Sequence, residues 1–142
     1  MKKKVLFLCT TNSCRSQMAE GILKTMGKYD FEVFSAGAKA TAIHPLATQV
    51  MREEGIDISD QKSSAVAEFM GQEFDYVITL CGKNAKSTCP IFAGKAKHQI
   101  HWDFFDPEEA KGSEEERLQA FRTVRDQIKL QLEKFARERK RD

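Results

Sequence analysis

The sequence predicts an α/β fold, a three-layer sandwich around a central four-stranded parallel sheet, because strand-like apolar runs alternate with amphipathic helices. The segment Lys4–Cys9 is apolar throughout after its first residue, as in a parallel strand covered on both faces. The alternation continues along the chain without a repeat, a linker or a low-complexity segment. The length of 142 residues suits one hydrophobic core, so we predict a single domain over residues 1–142.

The amino-terminal half contains two predicted strand–helix pairs. The strand Lys4–Cys9 is followed by a helix over Ser16–Met26, whose apolar side chains recur at helical spacing and which ends at Gly27. The strand Phe31–Ala36 is followed by a helix over Pro45–Glu54, with proline in its first turn.

The carboxyl-terminal half supplies the remaining elements. A short helix is predicted over Ala65–Met70, and strands are predicted over Tyr76–Leu80 and Lys97–His101. The last helix has the clearest start signal, because Ser113 and Glu116 match a capping box ahead of a long apolar stripe.

Composition excludes several classes of protein. Apolar residues make up 41% and charged residues 31%, which is typical of a globular domain, and the net charge of +2 gives no general attraction to nucleic acid or anionic lipid. No stretch approaches the roughly 18 apolar residues of a membrane span, and the apolar run near the amino end is too short for a signal peptide. We therefore expect a cytoplasmic protein, monomeric, with no nucleic-acid or membrane partner.

The four cysteines fall into two clusters, each placed directly after a predicted strand. Cys9 and Cys14 belong to one cluster, and Cys81 and Cys89 form the other. In a reducing compartment, clustered cysteines are more often catalytic or metal-binding than structural. Ligands of such sheets bind at the carboxyl ends of the strands, so Cys9 and Cys81 are expected to share one site.

The segment from Cys9 to Arg15 has the pattern Cys-x5-Arg between a strand and a helix. A strand-to-helix turn aims backbone N–H groups inward and adds the positive end of the helix, which suits a tetrahedral oxyanion. Arg15 adds a planar, permanently charged clamp, and the same surroundings favour the thiolate of Cys9, with Ser16 as a hydroxyl donor to that sulfur. The predicted oxyanion-binding loop comprises Thr10, Thr11, Asn12, Ser13, Cys14 and Ser16; Cys14 is interpreted mainly as a small packing residue.

These residues resemble the thioredoxin-coupled arsenate reductases, which share the fold of low-molecular-weight protein tyrosine phosphatases. The resemblance begins with Cys9–Gly21 (CTTNSCRSQMAEG) and covers nearly the whole chain in order. The further matching segments are Phe34–Gly37, Gly55–Ser59, Val77–Gly82, Cys89-Pro90, His101-Trp102 and Asp106-Pro107. The Cys-x5-Arg loop alone indicates only a phosphatase-type site; Cys81 and Cys89 make the reductase the more specific match.

The resemblance implies reduction of arsenate to arsenite, as in arsenic detoxification, by a relay of three cysteines. Cys9 would be the nucleophile and Asp106 the general acid, with Cys81 and then Cys89 as resolving thiols that pass the oxidation outward as a disulfide. It implies no bound redox cofactor: the sequence lacks a nicotinamide or flavin fingerprint, and reduced thioredoxin would supply the electrons. Asp103 is the competing candidate for the acid.

The resemblance also implies a monovalent-cation site near the loop, at Asn12, Glu20 and Ser35, although Ser64 stands where the family pattern has an aspartate. Two further departures are visible. Thr11 replaces a glycine, so this residue must keep a negative φ or be strained, because a β-branched side chain fits the left-handed region poorly. The interval from Cys81 to Cys89 is one residue longer than the reductase pattern.

Three other interpretations remain open at this stage. The first is a phosphatase that acts on phosphotyrosine or a small phosphate ester, since it needs the same loop, arginine and acid. Against it stand Glu108 and Glu109, where the resembling phosphatases carry aromatic residues, and Gln17, where they tend to have proline. The second is a module that senses oxyanions or oxidants without turnover. The third makes Cys81 and Cys89 half of a zinc site or two core residues, although no Cys-x2-Cys spacing supports zinc.

Overall fold

The computed structural model describes residues 2–81 and 92–139. Its centre is a sheet of four parallel strands in the order β2-β1-β3-β4. The strands are β1 (Lys3–Cys9), β2 (Phe31–Gly37), β3 (Glu73–Thr79) and β4 (Lys95–His101). The predicted four-stranded parallel sheet is therefore confirmed, with β3 and β4 each starting earlier than the sequence indicated.

Three α-helices follow the predicted positions closely. They are α1 (Arg15–Met26), α2 (Pro45–Glu53) and α3 (Glu114–Arg139). The predicted helix over Ala65–Met70 is instead one 3₁₀ turn, Val66–Phe69. The N–H of Ala65, the residue before this turn, donates to the Glu68 carboxylate at 2.9 Å. A second 3₁₀ turn, Pro107–Glu109, carries residues of the site.

The strand β1 is buried on both faces and organises the core. Val5 and Phe7 belong to the larger apolar cluster, together with the apolar sides of all three α-helices. Leu6 and Leu8 belong to a smaller cluster on the opposite face, with Phe74 and the 3₁₀ turn Val66–Phe69. The continuous apolar run in the sequence thus has the expected cause, since alternate side chains serve two different layers.

The last helix, α3, is fixed by hydrogen bonds at its start and by contacts to α2. The Glu116 N–H donates to Ser113 Oγ at 3.1 Å, and the Ser113 N–H donates to Glu116 Oε1 at 3.2 Å, which confirms the predicted capping box. Further along, the Arg125 guanidinium donates to the Val50 carbonyl oxygen and to Glu53 Oε1, each at 2.8 Å. These contacts cross from α3 to the end of α2 and join the two helices.

The strand order brings the carboxyl ends of β1 and β3 side by side. The Leu80 N–H donates to the Leu8 carbonyl oxygen at 2.8 Å, one residue beyond the ladder in which Leu8 pairs with Thr79. Cys9 and Cys81 therefore leave the sheet at the same edge. Within the described ranges, no helix has both the length and the apolar composition that crossing a bilayer requires.

Candidate active site

The segment between β1 and α1 forms a tight loop that curls around the start of the helix. Asn12 adopts φ 53° and is the one non-glycine residue with positive φ among those described, so Thr11 keeps a negative φ. Asparagine tolerates the left-handed region better than threonine does, because its short side chain bonds locally. The predicted difficulty at Thr11 is thus avoided, since the next residue makes the turn.

Gly37, at the end of β2, allows the loop to lie against the sheet. A Cβ atom at this position would lie 2.7 Å from the Asn12 nitrogen and 2.9 Å from the Thr10 carbonyl oxygen. The loop is also tied to this strand end, because the Ala38 N–H donates to that same oxygen of Thr10 at 2.9 Å. A glycine is required here by the close approach of two backbones.

Cys9 is the buried sulfur at the floor of this loop, with 2% of its surface exposed. Its Sγ lies 2.8 Å from Ser16 Oγ, and Asn12 Nδ2 donates to that same Oγ at 2.7 Å. Since the serine oxygen accepts from Asn12, its own hydrogen is available for the sulfur, and a hydrogen bond to a thiolate stabilises the charged form. The predicted role of Ser16 thus has matching geometry.

Arg15 is the first residue of α1, and its guanidinium is buried beneath the loop. Nη1 donates to the carbonyl oxygens of Leu80 and Phe104, each at 3.2 Å, and these bonds fix the orientation of the planar group. Nε is buried without a hydrogen-bond partner among the described residues. An orphan donor on a permanent cation is costly unless an anion or water meets it, so the guanidinium is arranged to receive an acceptor.

Asp106 faces this guanidinium from the 3₁₀ turn Pro107–Glu109. Its Oδ2 lies 3.5 Å from Arg15 Nη2, and its Oδ1 accepts from the Glu108 N–H at 3.0 Å. Pro107 begins the turn and is buried, which holds the carboxyl at the rim of the loop. The structure therefore places the predicted acid, arginine and nucleophile around the same loop.

Cys14 is a buried thiol at the back of the loop and is free, like Cys9. Burial raises the pKa of Cys14 well above its ordinary value, and the negative charges of Glu108 and Asp106 add to the effect. The thiol therefore stays protonated at neutral pH, which agrees with its interpretation as a packing residue.

Three potential metal ligands lie close together at this rim. Ligand atoms of Cys14, Asp106 and Glu108 lie within 4.8 Å of one another. The Arg15 guanidinium beside Asp106 opposes a cation there, and Ser13 Oγ donates to Glu108 Oε1 at 2.9 Å. We assign no metal to this cluster, and the Glu108 hydrogen bond instead links the rim to the loop.

Gln17 supports the unusual conformation of Asn12 and has no exposed surface. Its Nε2 donates to the Asn12 carbonyl oxygen at 3.1 Å, to Asn12 Oδ1 at 3.0 Å and to the Lys62 carbonyl oxygen at 3.1 Å. Gln61 Nε2 in turn donates to Gln17 Oε1 at 2.8 Å. The sequence identifies Gln17 only as a departure from the phosphatases and does not predict that it supports Asn12. The one available signal was an amide side chain in the first turn of α1.

Of the two predicted resolving cysteines, Cys81 lies among the described residues and Cys89 does not. Cys81 is buried at the end of β3, and its sulfur lies 3.8 Å from Thr10 Oγ1, the side chain next to Cys9. Cys89 lies outside the described residues. The structure thus places one of the two predicted sulfurs against the loop.

The predicted cation residues also lie together, behind the loop. Asn12 Nδ2 donates to Ser35 Oγ at 3.0 Å, and Ser35 Oγ donates to Glu20 Oε1 at 2.5 Å. The other oxygen of Glu20 is paired with the Lys24 ammonium. Both carboxylate oxygens of Glu20 therefore have partners within the chain.

Taken together, the site holds a buried cysteine sulfur beside a serine hydroxyl, a buried guanidinium at the start of a helix, and a carboxyl group at the rim of the loop. This arrangement suits attack on a tetrahedral oxyanion with protonation of a departing oxygen. It defines a cysteine-dependent oxyanion-binding enzyme of the phosphatase type.

Comparison with known proteins agrees with this class. Residues 4–142 match the family described as low molecular weight phosphotyrosine protein phosphatase, and the chain belongs to this family. Among its relatives, the arsenate reductase of Shouchella clausii is 47% identical over 135 residues, which cover 95% of this chain and 96% of the relative. The predicted family resemblance is confirmed.

Two solved structures are informative. An arsenate reductase in its phosphate-binding state superposes with a TM-score of 0.81 and 39% identity, covering 97% of this chain and 98% of the other. A thioredoxin-dependent arsenate reductase from Corynebacterium glutamicum has a TM-score of 0.63 and 28% identity, covering 97% of this chain and 64% of the other. The fold and the order of its elements are thus those of known arsenate reductases.

Proposed function

We propose that this protein reduces arsenate to arsenite, with Cys9 as the nucleophile and thioredoxin as the source of electrons. The observation that carries the proposal is the position of Cys81, whose sulfur lies 3.8 Å from Thr10 Oγ1 at the edge of the oxyanion loop. A phosphatase needs only Cys9, Arg15 and Asp106. A second buried sulfur beside the loop is suited to a reaction that continues by exchange between sulfurs, which a reductase requires and a phosphatase does not.

The first step uses the features of the loop. In the reduced enzyme the Cys9 thiolate attacks arsenic and forms an S–As bond, while one oxygen leaves as water after taking a proton from Asp106. The orphan Nε of Arg15 and the loop amides bind the remaining oxygens. Asp106 contacts the guanidinium through Oδ2, which keeps the carboxyl close to the bound oxyanion.

The second step transfers two electrons. The Cys81 thiolate attacks the sulfur of Cys9, so that an S–S bond forms and the S–As bond breaks with its electron pair remaining on arsenic. Arsenic leaves as arsenite, in the +3 state. Cys89 then attacks Cys81, which releases the Cys9 thiolate and leaves a Cys81–Cys89 disulfide for thioredoxin to reduce.

The low molecular weight phosphatase family makes hydrolysis of phosphate esters the second candidate, and a residual activity of this kind is expected from the shared loop. The rim argues against phosphotyrosine as the main substrate. Glu108 is exposed at the mouth and accepts a hydrogen bond from Ser13 Oγ at 2.9 Å, which fixes a carboxylate where an aryl ring would have to enter. A small inorganic oxyanion carries no aryl ring, so this carboxylate does not stand in its way.

The test is arsenate-dependent oxidation of NADPH in the presence of thioredoxin and thioredoxin reductase. Wild type is expected to turn over, and Cys81→Ser to lose arsenate turnover while it keeps hydrolysis of p-nitrophenyl phosphate within about twofold, because hydrolysis needs no sulfur exchange. Ser59→Ala, a change at an exposed residue outside the loop, serves as the control and is expected to retain both activities. Equal arsenate turnover in Cys81→Ser and wild type would reject the relay.

A further inference from the structure

Glu20 is a buried carboxylate behind the loop, with 7% of its surface exposed. Oε1 accepts from Ser35 Oγ at 2.5 Å, and Oε2 pairs with the ammonium of Lys24, four residues later on α1. A buried carboxylate is strongly unfavourable without a compensating charge, and an acidic residue one turn before a lysine is the favourable orientation on a helix. Glu20 thus already has its counter-ion within the chain.

This ion pair is connected to the nucleophile through side chains alone. Ser35 Oγ and Ser16 Oγ both accept from Asn12 Nδ2, at 3.0 Å and 2.7 Å, and Ser16 Oγ lies 2.8 Å from Cys9 Sγ. Glu20 orients Ser35 by accepting its hydrogen, and Ser35 in turn must accept from Asn12. The charge balance at Glu20 therefore determines how the left-handed residue of the loop is held.

The oxygens that a monovalent cation would need are in use. Asn12 Oδ1 accepts from the Ser64 N–H at 2.7 Å and from Gln17 Nε2 at 3.0 Å. Both oxygens of Glu20 have donors, one of them a permanent cation. Ser64, whose backbone N–H makes the bond to Asn12, has a neutral side chain. The group offers a single carboxylate that an ammonium has neutralised, and it does not fit a resident cation.

We propose that Lys24 replaces the monovalent cation in this protein and acts as a positioning residue for the oxyanion loop. The lysine side chain is 48% exposed, so an ordinary surface pair at this place would contribute little. Its partner is buried, however, and removal of the ammonium leaves an uncompensated carboxylate that an external cation can neutralise. This inference rests on the proposed function only in naming arsenate as the oxyanion that the loop binds.

The test is the melting temperature of the full chain in chloride salts of potassium, sodium and tetramethylammonium at equal ionic strength. Wild type is expected to melt within about 1 °C in all three salts, because the buried charge is already compensated. Lys24→Met is expected to melt roughly 3–8 °C lower in tetramethylammonium and to recover with potassium or sodium in a saturable way. Lys24→Arg is expected to behave as wild type.

Two controls make the result specific. Lys28→Met removes a nearby lysine whose ammonium lies 4.9 Å from the centroid of the Tyr29 ring, and it is expected to show no salt-specific recovery. The double variant Glu20→Gln/Lys24→Met removes both charges and is expected to be independent of the cation. Specific stabilisation of wild type by potassium, or a Lys24→Met protein without any cation response, would overturn the inference.

Activity provides the second measurement. Arsenate turnover is expected to be independent of potassium in wild type and to be activated severalfold by potassium in Lys24→Met. Absence of arsenate turnover in every salt would reject the proposed function, whereas the melting experiment would still decide the role of Lys24.

Discussion

Ser16 Oγ lies 2.8 Å from Cys9 Sγ, at the point where the loop becomes the first turn of α1. The same oxygen accepts from Asn12 Nδ2 at 2.7 Å, so the direction of the serine hydrogen is set by a residue in the left-handed conformation. The sulfur and the backbone turn are therefore coupled through one hydroxyl group. A change at either residue should be felt at the nucleophile.

Replacing Ser16 with alanine should slow arsenate turnover roughly 10-fold to 100-fold, because hydrogen bonds to charged groups contribute about 1.5–3 kcal/mol. Alkylation of Cys9 by iodoacetamide at pH 7, followed by mass spectrometry, should slow as well. Ser59→Ala is the control, since Ser59 is exposed and bonds only Asp57 among the described residues. An unchanged alkylation rate in Ser16→Ala would show that the hydroxyl does not stabilise the thiolate.

Gly37→Ala should displace the oxyanion loop, since the new methyl group would lie 2.7 Å from the Asn12 nitrogen. We expect a loss of about 1–3 kcal/mol in the free energy of unfolding and at least a 10-fold loss of turnover. Phosphate should raise the melting temperature of wild type more than that of the variant. Gly71→Ala is the matched control, because nothing lies within 4 Å of a Cβ there, and equal behaviour of the two variants would refute the close-approach argument.

Cys14 should be unreactive towards iodoacetamide at pH 7.5 in the folded protein. Burial raises the pKa of this thiol well above its ordinary value, so the thiolate forms only at a pH far above neutrality. Mass spectrometry should find Cys9 alkylated and Cys14 intact until urea unfolds the chain. Rapid native labelling of Cys14 would contradict the assignment of a neutral packing thiol.

The ionic cluster formed by Glu53 with Arg122 and Arg125 should make the protein acid-sensitive. Hydrogen bonds from Arg122 and then Arg125 lower the pKa of Glu53 below its ordinary value. The stabilisation of the folded state is therefore present above the pKa of Glu53 in the unfolded chain, near 4.5. It is lost as the pH falls through the lower pKa that Glu53 has in the folded protein.

Urea unfolding measured between pH 7 and pH 3 tests this linkage. The free energy of unfolding should fall less steeply with acidification in Glu53→Gln than in wild type. Glu32→Gln is the control, because Glu32 is an exposed residue of β2. Parallel curves for wild type and Glu53→Gln would exclude a contribution from this cluster.

The fold and the outline of the site were predictable because they depend on local patterns. The apolar run of β1, the Ser113–Glu116 capping box and the Cys9–Arg15 spacing each belong to one short segment of sequence. Periodicity and capping chemistry act within such segments, so they can be recognised without knowledge of the tertiary structure.

The support of the loop was not predictable, because it comes from distant segments. Asn12 is held by Gln17 in α1, by the Ser64 backbone and by Ser35 in β2, and the sequence instead drew attention to Thr11. The pairing of Glu20 with Lys24 follows helical spacing and was visible in principle. Its significance depends on the burial of Glu20, which only the tertiary structure determines.

The most direct test of arsenate reduction by sulfur exchange is a single turnover without thioredoxin. Fully reduced Cys89→Ser protein is mixed with arsenate, arsenite is counted per chain, and the disulfide is mapped by mass spectrometry. The account predicts about one arsenite per chain and a bond between Cys9 and Cys81, because each exchange consumes two thiols. Absence of arsenite, with p-nitrophenyl phosphate still hydrolysed, would contradict it and leave a phosphatase.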